Sequence, residues 1–229
     1  MTGRAAPQNR EITPRFPAEP LKTFEARLTP DERAVWRGLT SPARIQAFLD
    51  AVPYSGEERY RSPLTFLRDR TGHCFDGALF AAAALRRLGH PPRIVDLLPG
   101  DDDDHVLAIY KRGPHWGAVA KSNFAGLRFR EPIYRSLREL VMSYFEDYYN
   151  LKGVKTLRGY TRPLDLTAYD RVGWMWSDER LDDIGVKLGE IKSYKVLTPA
   201  QVRALQPKDK RGYDAGLVGL NRDGVYQPE

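Results

Sequence analysis

The stretch that most limits how this chain folds runs from Cys74 to Leu98. Phe75, Leu79, Ala82, Ala83 and Leu88 recur at helical spacing and Gly89 stands where a C-cap glycine belongs, so the spacing predicts a helix over 74–88. RIVDLL follows at once and reads as a buried strand, PGDDDD makes a polar turn, and HVLAIYK and HWGAVAK read as two further strands joined through Arg112-Gly113-Pro114. Helix, strand, turn and hairpin in that order imply an α+β fold, with the cysteine-bearing helix packed on an antiparallel β-sheet.

Local signals place other helices around this unit. Thr29-Pro30-Asp31-Glu32 joins an N-cap threonine to a proline at the first helical position and a glutamate at the capping-box position, and Ser41-Pro42, Ser62-Pro63 and Thr198-Pro199 repeat the opening. Ser136-Leu137-Arg138-Glu139 predicts a helix running to about Tyr149. Trp174 and Trp176 are spaced to share one face of a strand, with Met175 turned away. Pro7, Pro14, Pro17 and Pro20 favour an extended arm. The chain therefore divides into an arm over 1–22, a core over 23–150 and an extension over 151–229 packed on the core.

Composition narrows the function classes. The 229 residues are 41% hydrophobic, enough for a core that does not depend on oligomerisation, and the oligomeric state is left open. A net charge of +6 comes from 36 basic and 30 acidic residues with no arginine-rich tract interleaved with aromatics, so no nucleic-acid partner is expected. The longest apolar run, ALFAAAAL, is far short of the roughly 20 residues that span a bilayer, so no membrane partner is expected. With one cysteine no internal disulfide forms, and no apolar leader opens the chain, so the expected compartment is the cytoplasm.

That cysteine, Cys74, stands at the predicted helix N-terminus, where free N–H groups and the helix dipole favour a thiolate and could hold an oxyanion. His105 opens the second strand and is the candidate base. An amide or hydroxyl on the next strand would orient the imidazole. A three-residue loop at 112–114 sets His105 opposite Lys121 with Asn123 one diagonal step away; a two-residue Gly113-Pro114 loop sets it opposite Ser122 and turns Asn123 to the other face. Asn123 is preferred, because its amide oxygen can accept the Nδ1–H bond that fixes the tautomer. Asp101 to Asp104 crowd against His105 and would raise its affinity for protons. They read as a solvated acidic turn, and no metal or cofactor is invoked.

Gly72-His73-Cys74-Phe75-Asp76, the helix ending in LRRLGHPPRIV and the strand opened by His105 resemble the core of the transglutaminase-like superfamily, whose layout is related to papain-like enzymes. The resemblance covers residues 70 to about 125. It implies that Cys74 is the nucleophile and His105 the general base of a cysteine enzyme acting on an amide or related acyl bond through a thioester, with hydrolysis preferred and a protein, peptide or small amide as substrate. At the third position the chain departs from the family's Trp-x-x-x-Asp pattern, because Trp116 is followed by GAVA and the nearest polar candidates are Ser122 and Asn123. The alternative is an inactive fold of the same kind serving as a protein-binding or scaffolding module.

Overall fold

The computed structural model describes residues 17–227. Most of the arm expected over 1–22 lies outside the described residues, and from Glu19 the chain is already helical: α1 is Glu19–Ala26. Helices α2 (Pro30–Gly38), α3 (Pro42–Asp50) and α4 (Pro63–Asp69) follow, each opened by a Thr or Ser whose side chain accepts an N–H from the first turn, with proline at the start. Helix α5 (Cys74–Arg87) comes next, then strands β1 (Arg93–Pro99), β2 (His105–Arg112), β3 (His115–Val119) and β4 (Arg130–Tyr134). The remainder is α6 (Leu137–Met142), β5 (Leu157–Thr161), β6 (Leu164–Asp165), α7 (Leu181–Glu190), β7 (Ser193–Lys195), α8 (Pro199–Ala204) and α9 (Lys210–Gly216).

One antiparallel sheet of order β4-β3-β2-β1-β5-β7, with β6 also on β1, runs through the molecule. Strands from beyond Asn150 thus complete the sheet that the core begins. Alternate residues of β1 and β2 enter two separate cores. Ile94, Val106, Ala108 and Tyr110 face α5 and the N-terminal helices, whereas Val95, Leu97, Leu107 and Ile109 face α6 and the tyrosines Tyr144 and Tyr148. Helix α5 is buried on nearly every side, and Ala78 and Ala81 to Ala84 are wholly covered. These small side chains let α1, α3, α4 and the sheet all pack against one helix.

Gly77 brings α5 close to Lys121. A methyl group there would overlap Lys121 Cβ. Lys121 is itself buried, with its Nζ donating to Leu49 O at 3.1 Å and to Val52 O at the end of α3, so it has no room to retreat. Gly77→Ala is expected to destabilise the protein by about 2 kcal/mol in urea unfolding, because overpacking outweighs alanine's helix propensity.

Two expectations shift. The helix from Ser136 ends at Met142 and yields to a short tight turn at Phe145–Asp147. Trp174 and Met175 lie in a turn, not a strand, and both are fully buried. Among the described residues no helix is long and apolar enough to cross a membrane.

Candidate functional site

Cys74 is the first residue of α5, as its sequence setting predicts, and forms part of the floor of an open cleft of about 800 Å³. His73 precedes it as N-cap, with Nε2 3.1 Å from Arg59 O. Asp76, in the first turn, accepts the backbone N–H groups of Arg61 at 2.7 Å and His73 at 3.2 Å. The helix start is thereby tied to the Glu57–Arg61 loop, which forms one wall. The β1–β2 turn, α7 and the segment Asp223–Tyr226 form the others.

The thiol donates to the carbonyl oxygen of Asp104, 4.0 Å away. Burial is the largest influence on it and pushes the thiol well above its usual range; the Asp104, Asp96 and Asp103 charges push the same way, against a hydrogen bond from the Val106 backbone. A helix terminus contributes about 0.3–1 kcal/mol towards the anion, occasionally about 2. Desolvation and three carboxylates outweigh that here, so the helix start does not make Cys74 a resting thiolate. The Tyr54 phenol lies against Cys74 as well, and burial together with that neighbour keeps it firmly protonated.

His105 is not on this side of the sheet. It pairs with Leu97 and follows the alternation of Leu107 and Ile109, so its ring enters the second core, 6.5 Å centroid to centroid from Tyr148. Nε2 lies 2.7 Å from Leu127 O, an acceptor, so the ring is the neutral tautomer with the proton on Nε2. Burial lowers its pKa to about 4, with Arg130 helping and the Leu127 bond opposing. The aspartate run does not raise its affinity for protons as expected, because the ring lies across the strand from the carboxyl groups of Asp96 and Asp104. Cys74 and His105 therefore occupy opposite faces of β2, and no hydrogen bond joins them.

The third position also differs from expectation. Arg112 pairs with His115, so the hairpin loop is Gly113-Pro114 alone and the register is the alternative that favours Ser122. Asn123 does not orient His105. Its Nδ2 donates to Asn221 O at 2.8 Å and Gly224 O at 3.0 Å, and its Oδ1 accepts the Asn221 N–H at 2.8 Å. The amide thus fastens the C-terminal segment. Asn221 Nδ2 in turn donates to Tyr54 O, which brings that segment to the cleft wall. Ser122 Oγ accepts the Phe124 N–H at 3.1 Å, a local turn bond.

The group that composition and spacing did not single out is Asp96, on the α5 face of β1. It is 3% exposed, its Oδ1 has no hydrogen-bond partner among the described residues, and it lines the cleft beside Asp104. Burial first, then the Asp104 charge, raises its pKa far above the usual carboxylate range. The signal available in the sequence is one aspartate inside an apolar strand, RIVDLL. Among the described residues, no group of three or more His, Cys, Asp and Glu is arranged to hold a metal ion.

No family model matches the chain. No curated protein matches it. Among solved structures, Legionella pneumophila LapG is similar over 46% of this chain and 70% of its own, at 15% identity and a TM-score of 0.34. LapG in an EGTA-treated form is similar over 48% and 72%, with the same identity and TM-score.

Proposed function

We propose that this chain is a peptide-binding protein that uses the cleft over Cys74 and does not turn over its ligand. The observation that carries the reading is the placement of the His105 imidazole in the second core, across β2 from the sulfur. Without the His105 imidazole at the thiol, and with burial and carboxylates holding its proton, Cys74 rests as the neutral thiol. What remains is an open concavity with aromatic and polar walls, suited to a segment of extended chain.

The single cysteine makes a direct test available. Iodoacetamide is expected to alkylate native Cys74 at least about tenfold more slowly than the same residue in the urea-unfolded chain at every pH below 8, since only the thiolate reacts. An activated ester should leave no acyl adduct by mass spectrometry. Faster alkylation in the native state, or an adduct lost in Cys74→Ala, supports the second reading: a cysteine enzyme acting on an amide or acyl bond. That reading is favoured by the position of Cys74 at a helix start facing the cleft, and it requires His105 or another base to reach the sulfur.

A further inference from the structure

Gly224, Val225 and Tyr226 line two concavities at once: the cleft over Cys74 and a small hollow of about 40 Å³ beside His105. The segment that carries them lies on their common border and belongs to no strand of the sheet. It is one tight turn, Arg222–Gly224, running into extended backbone at Val225. Asn221 shapes the turn, its Oδ1 accepting the Asp223 N–H at 3.2 Å. Asn123 holds it. That side chain is 8% exposed, and its amide meets backbone: Oδ1 accepts the Asn221 N–H while Nδ2 donates to Asn221 O and Gly224 O. Both N–H donors of a nearly buried amide are thus spent on this segment. At the far end Tyr226 donates to Asp101 Oδ1 at 3.2 Å.

The seat is shaped as well as polar. A methyl group on Gly224 would stand 2.9 Å from the Tyr54 ring, and one on Gly56 would overlap the Asp223 carbonyl, so two glycines let the turn lie flush on the Tyr54–Gly56 wall. Tyr54 O accepts from Asn221 Nδ2 at 2.9 Å. These contacts select an asparagine, a glycine three residues later and the backbone between them, and they are indifferent to Arg222 and Asp223, whose side chains are exposed. If the segment left, the Asn123 amide would lose every one of these partners, a cost that an equivalent turn would offset.

We propose that Tyr54, Gly56 and Asn123 form a peptide seat on the rim of the cleft, that its ligands are segments with an Asn-x-x-Gly turn, and that the chain's own Asn221–Gly224 fills it as a strap that a ligand displaces. The inference rests on the peptide-binding reading and names its ligand class. Departure of the strap joins the cleft to the hollow beside His105 and lengthens the groove. A strap in the same chain competes at high effective concentration, so the wild type binds such ligands weakly.

The test is fluorescence anisotropy with the full chain and a labelled peptide copying residues 219–227, GLNRDGVYQ. Gly224→Val in the chain drives its strap off the Tyr54 ring and spares the seat, so this variant should bind the peptide at least tenfold more tightly than wild type does. The same peptide with Gly224→Val should not bind, and Asn123→Ser added to the chain variant should abolish binding. Cys74 alkylation in the chain variant should rise at least threefold over wild type as the cleft opens. That ratio of variant to wild type tests the strap, whereas the ratio of native to unfolded chain tests the peptide-binding reading. Equal peptide affinity in variant and wild type, or none in either, overturns the seat. Tight binding without faster alkylation overturns the proposal too, by separating the seat from the cleft. Asn221→Ala, which loosens the turn and leaves Asn123 in place, repeats the test if Gly224→Val melts early; early melting of both overturns the strap, by making the segment part of the folded core.

Discussion

Arg61→Ala is expected to cost about 3–5 kcal/mol of folding stability, the range for removing one partner of a buried ion pair. The Arg61 side chain is 2% exposed; Nε lies 3.2 Å from Asp69 Oδ2, Nη1 lies 3.5 Å from Asp76 Oδ2, and Nη2 pairs with Glu57. Asp76 is wholly buried. Burial raises its pKa, and the nearby His73, the backbone N–H bonds and the Arg61 charge pull it back. Alanine at 61 leaves that carboxylate in the interior with its backbone bonds and the His73 imidazole but no guanidinium, so it must stay charged at a cost or take up a proton. The loss, read by urea unfolding, should shrink as pH falls and Asp76 protonates. Arg61→Lys keeps the charge but cannot bridge three acceptors with one planar fork, so it should fall between wild type and alanine. A cost below about 1 kcal/mol in Arg61→Ala would show that solvent reaches Asp76. The substitution also touches the site, because Asp76 is what fastens the first turn of α5, and with it Cys74, to the cleft wall.

What the sequence made legible is what local chemistry decides. Thr29 accepts the Glu32 N–H at 3.3 Å while the Glu32 carboxylate accepts the Thr29 N–H at 2.8 Å, an exchange within four residues that owes little to the rest of the chain. The Ser-Pro openings, α5 with its glycine stop and the three strands after it are of the same kind. The helix from Ser136 was legible only at its start. Tyr148 donates to Leu97 O and Asp103 O, and Tyr144 donates to Arg128 O, so these tyrosines serve the carbonyls of distant strands and loops, which helical periodicity does not reveal.

The face taken by His105 was hidden for a more specific reason. The first six residues of β2, HVLAIY, are all buried, because both faces of the sheet are covered. In such a strand no polar alternation marks which side looks at α5. One residue of offset sends the imidazole to the wrong core and Asp104 to the thiol. The cover that creates this ambiguity, α6 and the tyrosines on one side, is assembled by contacts far apart in sequence. Strands β5 and β7 were missed likewise, since LRGYT and SYK acquire their identity by pairing with β1 and with each other.

Acidification tests that placement through stability. His105 has a pKa of about 4 in the folded chain against 6.5 when unfolded, so between those values the unfolded state binds the proton that the native state refuses. Its contribution is intact above about 6.5, declines as pH falls towards 4 and is constant below, a total of about 3 kcal/mol at 1.36 kcal/mol per unit. Asp96 and Asp102 act in the opposite sense: burial raises their folded values, so acid relieves them. Total stability against pH therefore mixes both signs, and the informative quantity is the gap between wild type and His105→Gln, in which the carboxylates cancel. Glutamine can still donate to Leu127 O, so at pH 7 the variant should lose about 1–2 kcal/mol in packing. By pH 4 the gap should close or reverse. If the imidazole instead sat beside a Cys74 thiolate, its folded pKa would lie above 6.5, protonation would stabilise the native state, and the gap would widen as pH fell. The direction of that one difference separates a neutral core histidine from a catalytic base.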